Sequence, residues 1–166
     1  MPDTEGVRLS QSVRQNVEEM KSLCEGIDEE TAARAPSGKW SPKQIISHLC
    51  GPEGGGGITI IRAILEQDTP RVDIEVANPF YTERRRSMPF RELLMQFERD
   101  YLQLADLVEG LTAEQLGRKA HIPLLKETPM GEYPTLAGFV SAISEYHMDF
   151  HVKHMREVLE ALRSNP

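Results

Sequence analysis

The chain has 166 residues and a mass of 18.7 kDa, which bounds it to one domain with a core large enough to need no staples. Apolar residues make up 39 % and aromatics only 6 %, so Leu, Met and Ile supply the bulk, as in helices packing on helices. A net charge of -7, from 26 acidic against 19 basic residues, excludes a general nucleic-acid or anionic-membrane surface.

No apolar run approaches the ~20 residues of a membrane span, and the start M-P-D-T-E-G-V-R-L-S is too polar for a signal peptide. Cys24 and Cys50 fall in separate predicted helices, with no CxxC spacing and no disulfide framework. These features predict a cytoplasmic protein in a reduced compartment, with no nucleic-acid or membrane partner.

From Glu5 to Ile27, Val7, Leu9, Val13, Val17, Met20, Leu23 and Cys24 recur at threes and fours, the period of an amphipathic helix. Asp28 then caps a short acidic turn that stops by Pro36. In P-S-G-K-W-S-P-K-Q-I-I-S-H-L, Ser41 is an N-cap and Pro42 falls at the first helical position, where its missing N–H costs nothing. Ile45, Ile46 and Leu49 form the apolar face of this second helix, with His48 on that face or its margin, and Trp40 is expected to seal its entry against the core.

Gly51 to Gly57 interrupts the pattern before Ile58, Ile60, Ile61, Ile64 and Leu65. Each glycine costs about 1 kcal/mol of helix propensity, so the helix either breaks here or survives by packing. The run is not a nucleotide loop, because neither phosphate-binding glycine pattern is present; it is either the lip of a pocket or a plain structural break.

Residues 68–88 read as connection, with Arg84, Arg85 and Arg86 either solvated or able to hold an anionic group. Pro89 starts a long third helix through Leu93, Leu94, Phe97, Tyr101, Leu104, Leu107, Val108 and Leu111. Thr112 caps a further short turn, and 117–134, with His121 and three prolines, reads as a connection over one end of a bundle.

The last helix starts at Pro134 or Thr135 and runs to Leu162. Its apolar stripe comprises Leu136, Phe139, Val140, Ile143, Phe150, Val158, Leu159 and Leu162, and passes through His147, His151 and His154. Neighbours at i+3 and i+4 share a helix face, so these three imidazoles face inward together. Each would otherwise need its own partner in a region where an unpaired polar group costs about 1–3 kcal/mol, whereas one divalent metal satisfies several at once. Four long segments with long connections fit an all-α four-helix bundle with crossover wiring, inside which His48 meets the last-helix histidines.

The stretch W-S-P-K-Q-I-I-S-H-L (Trp40 to Leu49), with Glu53 five residues after His48, and the stretch P-T-L-A-G-F-V-S-A-I-S-E-Y-H-M-D-F-H (Pro134 to His151) resemble the DinB-like superfamily. The resemblance spans nearly the whole chain. It implies an up-down-down-up four-helix bundle, a homodimer, and a divalent metal, often nickel or zinc, held by residues matching His48, His147 and His151. It also implies a small-molecule substrate, handled by metal-dependent hydrolysis or by transfer or isomerisation with a thiol cosubstrate. The chain departs from the pattern at the Gly51 to Gly57 run and at His154, where the superfamily usually carries glutamine or another polar residue.

Two functions follow. In a metal-dependent enzyme, three imidazoles leave positions for water or a thiolate, and Glu53, Tyr146 and His154 are the candidate catalytic proton-transfer groups, although Tyr146 points about 100° away from His147. In a non-catalytic stress-response module, the same site holds a metal or ligand without turnover, a reading kept open by the absence of a cofactor motif or nucleophile elbow. A third reading leaves the histidines as polar core residues of a helical dimer.

Overall fold

A computed structural model describes residues 1–165. The first long helix, α1 (Thr4–Cys24), is capped by the Asp3 carboxylate, which accepts from the backbone N–H of Glu5. Asp28 caps the short α2 (Glu29–Ala33) in the same way. The second bundle helix opens as α3 (Pro42–Cys50), where Ser41 and Gln44 form a reciprocal capping box and Pro42 occupies the first turn.

The glycine run breaks this helix: Gly51, Gly54 and Gly56 take φ of 73°, 76° and 121°, conformations that L side chains resist. The chain then re-enters a helix as α4 (Gly57–Glu66). Between α4 and the third bundle helix, α5 (Glu83–Ser87) is a helical turn within what the sequence presents as pure connection. Its signal was a cap: Thr82 accepts from the Arg85 N–H. The third bundle helix is α6 (Phe90–Glu109), followed by the Thr112-capped α7 (Ala113–Leu116).

The last helix begins at Thr135 as α8 (Leu136–Ser141), widens into a π turn over Ala142–Met148, and continues as α9 (Asp149–Ser164). This widening is a departure from the sequence expectation of a uniform α-helix. A π turn bonds i to i+5 and so holds an extra residue, which rotates the downstream face. Phe150, placed by uniform spacing on the apolar stripe, is accordingly 62 % exposed, and Ser144, Met148, Val152 and Met155 are buried instead. The side-chain amide of Asn16, from α1, donates to the Ser144 carbonyl at 2.8 Å inside this turn.

Cross-helix contacts fix the directions. Asp3 donates its N–H to the Leu111 carbonyl while Lys21 pairs with Glu98, so α1 and α6 are antiparallel. Lys43 reaches the Arg86 carbonyl, Tyr101 the Leu49 carbonyl and Arg118 the Ile64 carbonyl, so α3–α4 runs parallel to α6. Lys39 lies near Glu157 while His48, further along α3, meets His147, so the last helix runs against α3 and therefore with α1. The result is an up-down-down-up four-helix bundle.

The core is continuous from Leu9, Val13 and Val17 through Ile45, Ile61, Leu93 and Phe97 to Val140, Met155 and Val158. The segments before α5 and after α7 pair across one end, where His121 donates its N–H to the Pro70 carbonyl and Val72 to the His121 carbonyl. Among the described residues no strand forms beyond two isolated bridges, and no helix is long and apolar enough to cross a membrane.

Candidate metal centre

His48 stands in the last turn of α3 because the capping box and Pro42 fix where that helix starts, and it projects into the bundle with 9 % of its surface exposed. Facing it, His147 lies in the π turn and His151, 5 % exposed, in the first turn of α9. One ring nitrogen from each of the three comes within 4.8 Å of the other two. The Nε2 atoms of His48 and His147 are 2.9 Å apart.

The proton placement on His48 follows from its other contact. Its Nδ1 lies 2.6 Å from the Asn78 carbonyl, which can only accept, so Nδ1 carries the hydrogen and Nε2 presents a lone pair to the cluster. Asn78 is itself fixed, since its Oδ1 accepts from the Phe80 N–H at 2.7 Å. Phe80 takes a φ of 49° and lays its ring parallel to His48, at 6.2 Å between centroids.

Aromatic groups wall the site. Trp40 lies 5.1 Å from His48, stacks at 6.3 Å on His151 and also reaches His154, so it covers the histidines rather than only sealing the helix entry. Phe150 meets the edge of His151 at 5.0 Å. Burial among these rings disfavours the charged imidazole and pulls His147 down to about 4 and His151 to about 3, with neighbouring histidines adding to the effect; burial lowers His48 too. All three are therefore neutral at pH 7, with lone pairs available to a cation.

The remaining candidates fall elsewhere. The Nδ1 of His154 is 3.3 Å from the Nδ1 of His151, beside the cluster rather than in it. Tyr146 is 71 % exposed, and Glu53 forms an ion pair with Arg84. His121 is remote in its contacts, bonding Glu132 and stacking on Tyr133. Sequence reasoning missed Asn78, Phe80 and Asn16. The Asn-Pro turn was the only local signal for the first two, and nothing in the period of α1 singles out Asn16.

A helical bundle with three neutral imidazoles converging from two of its helices defines the class: the donor set is nitrogen-only, a type that suits borderline divalent ions. The chain belongs to the DinB superfamily, whose sequence profile matches residues 12–163. Its fold is similar to that of YfiT from Bacillus subtilis, described as a probable metal-dependent hydrolase with an unusual four-helix bundle topology. That similarity covers 98 % of this chain and 90 % of the other at a TM-score of 0.76 and 17 % identity. No curated protein sequence matches the chain.

Proposed function

We propose that the chain is a metal-dependent enzyme in which His48, His147 and His151 hold one divalent transition metal, nickel or zinc. The observation that carries this reading is the convergence of three uncharged imidazoles on a space within 4.8 Å, with no protein acid among them. When bound, such an ion polarises a substrate oxygen or lowers the pKa of a water toward ~7, and its open positions also suit a thiol cosubstrate.

The chain's own residues do the rest. Asn78 holds the His48 tautomer through its carbonyl, Trp40 and Phe80 exclude water from the imidazoles, and His154 shares a hydrogen bond with the Nδ1 of His151. Of the three proton-transfer candidates, His154 is adjacent to the cluster, while Glu53 requires release from Arg84 and Tyr146 a change of facing. The reaction class is hydrolysis or thiol-dependent transfer on a small molecule. The description of YfiT as a probable metal-dependent hydrolase supports the first, and the assembly we propose is a homodimer, as the superfamily resemblance implies.

The absence of a carboxylate from the cluster, among the described residues, favours one alternative, a module that binds metal without turnover. Elemental analysis by plasma mass spectrometry on untagged protein tests the site. Near-stoichiometric nickel or zinc is expected in the wild type, and less than about one-tenth of it in His147→Ala. Full occupancy in that variant would sink the assignment. Metal without activity across hydrolase and thiol-transfer substrates would favour the binding module.

A further inference from the structure

The three consecutive arginines of α5 part company in the fold. Arg84 pairs with Glu53 and Arg86 lies over the Tyr81 ring at 5.4 Å, both on the surface, whereas Arg85 turns inward and is 1 % exposed. Its Nη1 donates to four acceptors: the carbonyls of Gly51 at 2.6 Å, Ser47 at 3.0 Å and Phe80 at 3.2 Å, and the Ser47 hydroxyl at 3.2 Å. Asp100 on α6 is a neighbouring counter-charge, but among the described residues no carboxylate hydrogen-bonds the guanidinium. A buried cation is costly to strip of water, and here the compensating bonds all go to backbone and hydroxyl oxygens.

Those acceptors belong to two segments that meet at His48. Ser47 and Gly51 flank it at the end of α3, where the last carbonyls of a helix have no intrahelical partner. The guanidinium closes that end, and the Tyr101 hydroxyl takes the Leu49 carbonyl between them. Phe80 belongs to the segment before α5 that carries Asn78. Its carbonyl accepts from Arg85, from the Ser47 hydroxyl at 3.0 Å and from the Thr82 N–H, and its own N–H donates to the Asn78 side chain. The segment needs such fastening, because Ala77 and Phe80 take φ of 56° and 49°, which L side chains resist. Asn78 stands between them, with its carbonyl 2.6 Å from Nδ1 of His48.

We propose that Arg85 is a positioning residue of the histidine centre: by fastening the Phe80 carbonyl to the end of α3 it holds the Asn78 carbonyl on Nδ1 of His48, and so keeps the bare Nε2 turned toward His147. Ser47 serves the same end, since its hydroxyl donates to the Phe80 carbonyl and accepts from Arg85. The role lies in one nitrogen bridging three carbonyls, which an apolar side chain of similar length lacks the donors to do. The consequence for a bound ion rests on the proposed function, whereas the hold on the ring belongs to the metal-free chain.

The test compares the full chain with its Arg85→Met and Ser47→Ala variants by long-range proton–nitrogen correlation of the imidazoles in metal-free protein at neutral pH, followed by competitive titration with nickel. In the wild type His48 is expected to show one protonated nitrogen, Nδ1, and one bare one. In Arg85→Met the two signals should move toward their mean as the ring samples both tautomers, and nickel affinity should fall by about tenfold or more. Ser47→Ala should shift both readouts in the same direction by less. A cap that served only the stability of α3 would lower Tm and leave the His48 nitrogens as they are, so a folded Arg85→Met with the wild-type pattern overturns the role. Where Arg85→Met does not fold, Ser47→Ala decides by the same signals. A wild type that binds neither nickel nor zinc would sink the proposed function but not this role, which the nitrogen pattern decides.

Discussion

Cys24 and Cys50 are both free and buried, and burial pushes each thiol up to about 12. At pH 8 the reactive thiolate is then on the order of one part in ten thousand, so native protein should resist iodoacetamide over hours and label at both positions in denaturant. Rapid native labelling would mean that α1 and α3 do not pack as described. A second residue-scale expectation concerns His154. If its bond to His151 orients that ring, His154→Ala should lower metal affinity by about 10–100-fold without loss of fold, and glutamine, which can also meet the Nδ1 hydrogen, should restore much of it. Equal affinity in alanine and wild type would leave His154 as a bystander.

Among the elements, the π turn and the glycine break determine where the imidazoles stand. Asn16→Ala removes the donor that α1 offers to the Ser144 carbonyl, a buried acceptor in the π turn that carries His147. Its expected cost is about 1–3 kcal/mol in urea denaturation, together with weaker metal retention, whereas a purely peripheral contact would leave retention unchanged. At Gly56 a Cβ would stand 3.1 Å from the Cys50 carbonyl at a φ of 121°, so Gly56→Ala should cost about 1–3 kcal/mol by the same measurement.

These two elements also mark what the sequence could carry. The Ser41 cap with Pro42 made the start of α3, and hence His48, legible, because capping chemistry is local. The apolar period of α1 and α6 was legible for the same reason. The π turn was not, since its stability comes from tertiary partners such as Asn16, and uniform 3.6-residue spacing consequently put Phe150 inside. His147 and His151 were legible despite it, because the widened turn still leaves them facing His48. Asn78 and Phe80 escaped notice because a positive φ at Phe80 has no sequence signature comparable to glycine.

For the molecule as a whole, stability rests on α1 against α6. Gly6 sits where a Cβ would come within 2.7 Å of the Val108 carbonyl, a backbone atom that cannot step aside, so Gly6→Ala should separate the two helices at a cost of about 1–3 kcal/mol. On the proposed function, a bound metal acts on the same balance from the other side. A ligand at a hundred times its Kd adds about 2.7 kcal/mol, so nickel or zinc should raise Tm in the wild type and leave His151→Ala unmoved. Chelation should reverse that rise in Tm without unfolding the chain, because the core of Leu9, Phe97, Val140 and Met155 is complete without the ion.

The widened turn at Ala142–Met148 also governs how this chain can be compared with others. A helix with one residue more in a turn carries a frame change: positions before 142 and after 148 keep their own registers, and a gap-free pairing with a uniformly α-helical counterpart can be right on only one side. Deleting a single residue inside the turn would rejoin the frames into a uniform α-helix with Leu136, Phe139 and Val140 still on the face of His151 and Val152, and the change would fall on the residues of the turn itself, His147 among them. In this helix, length and chemistry are linked, and a one-residue indel has the reach of a substitution at the histidines themselves.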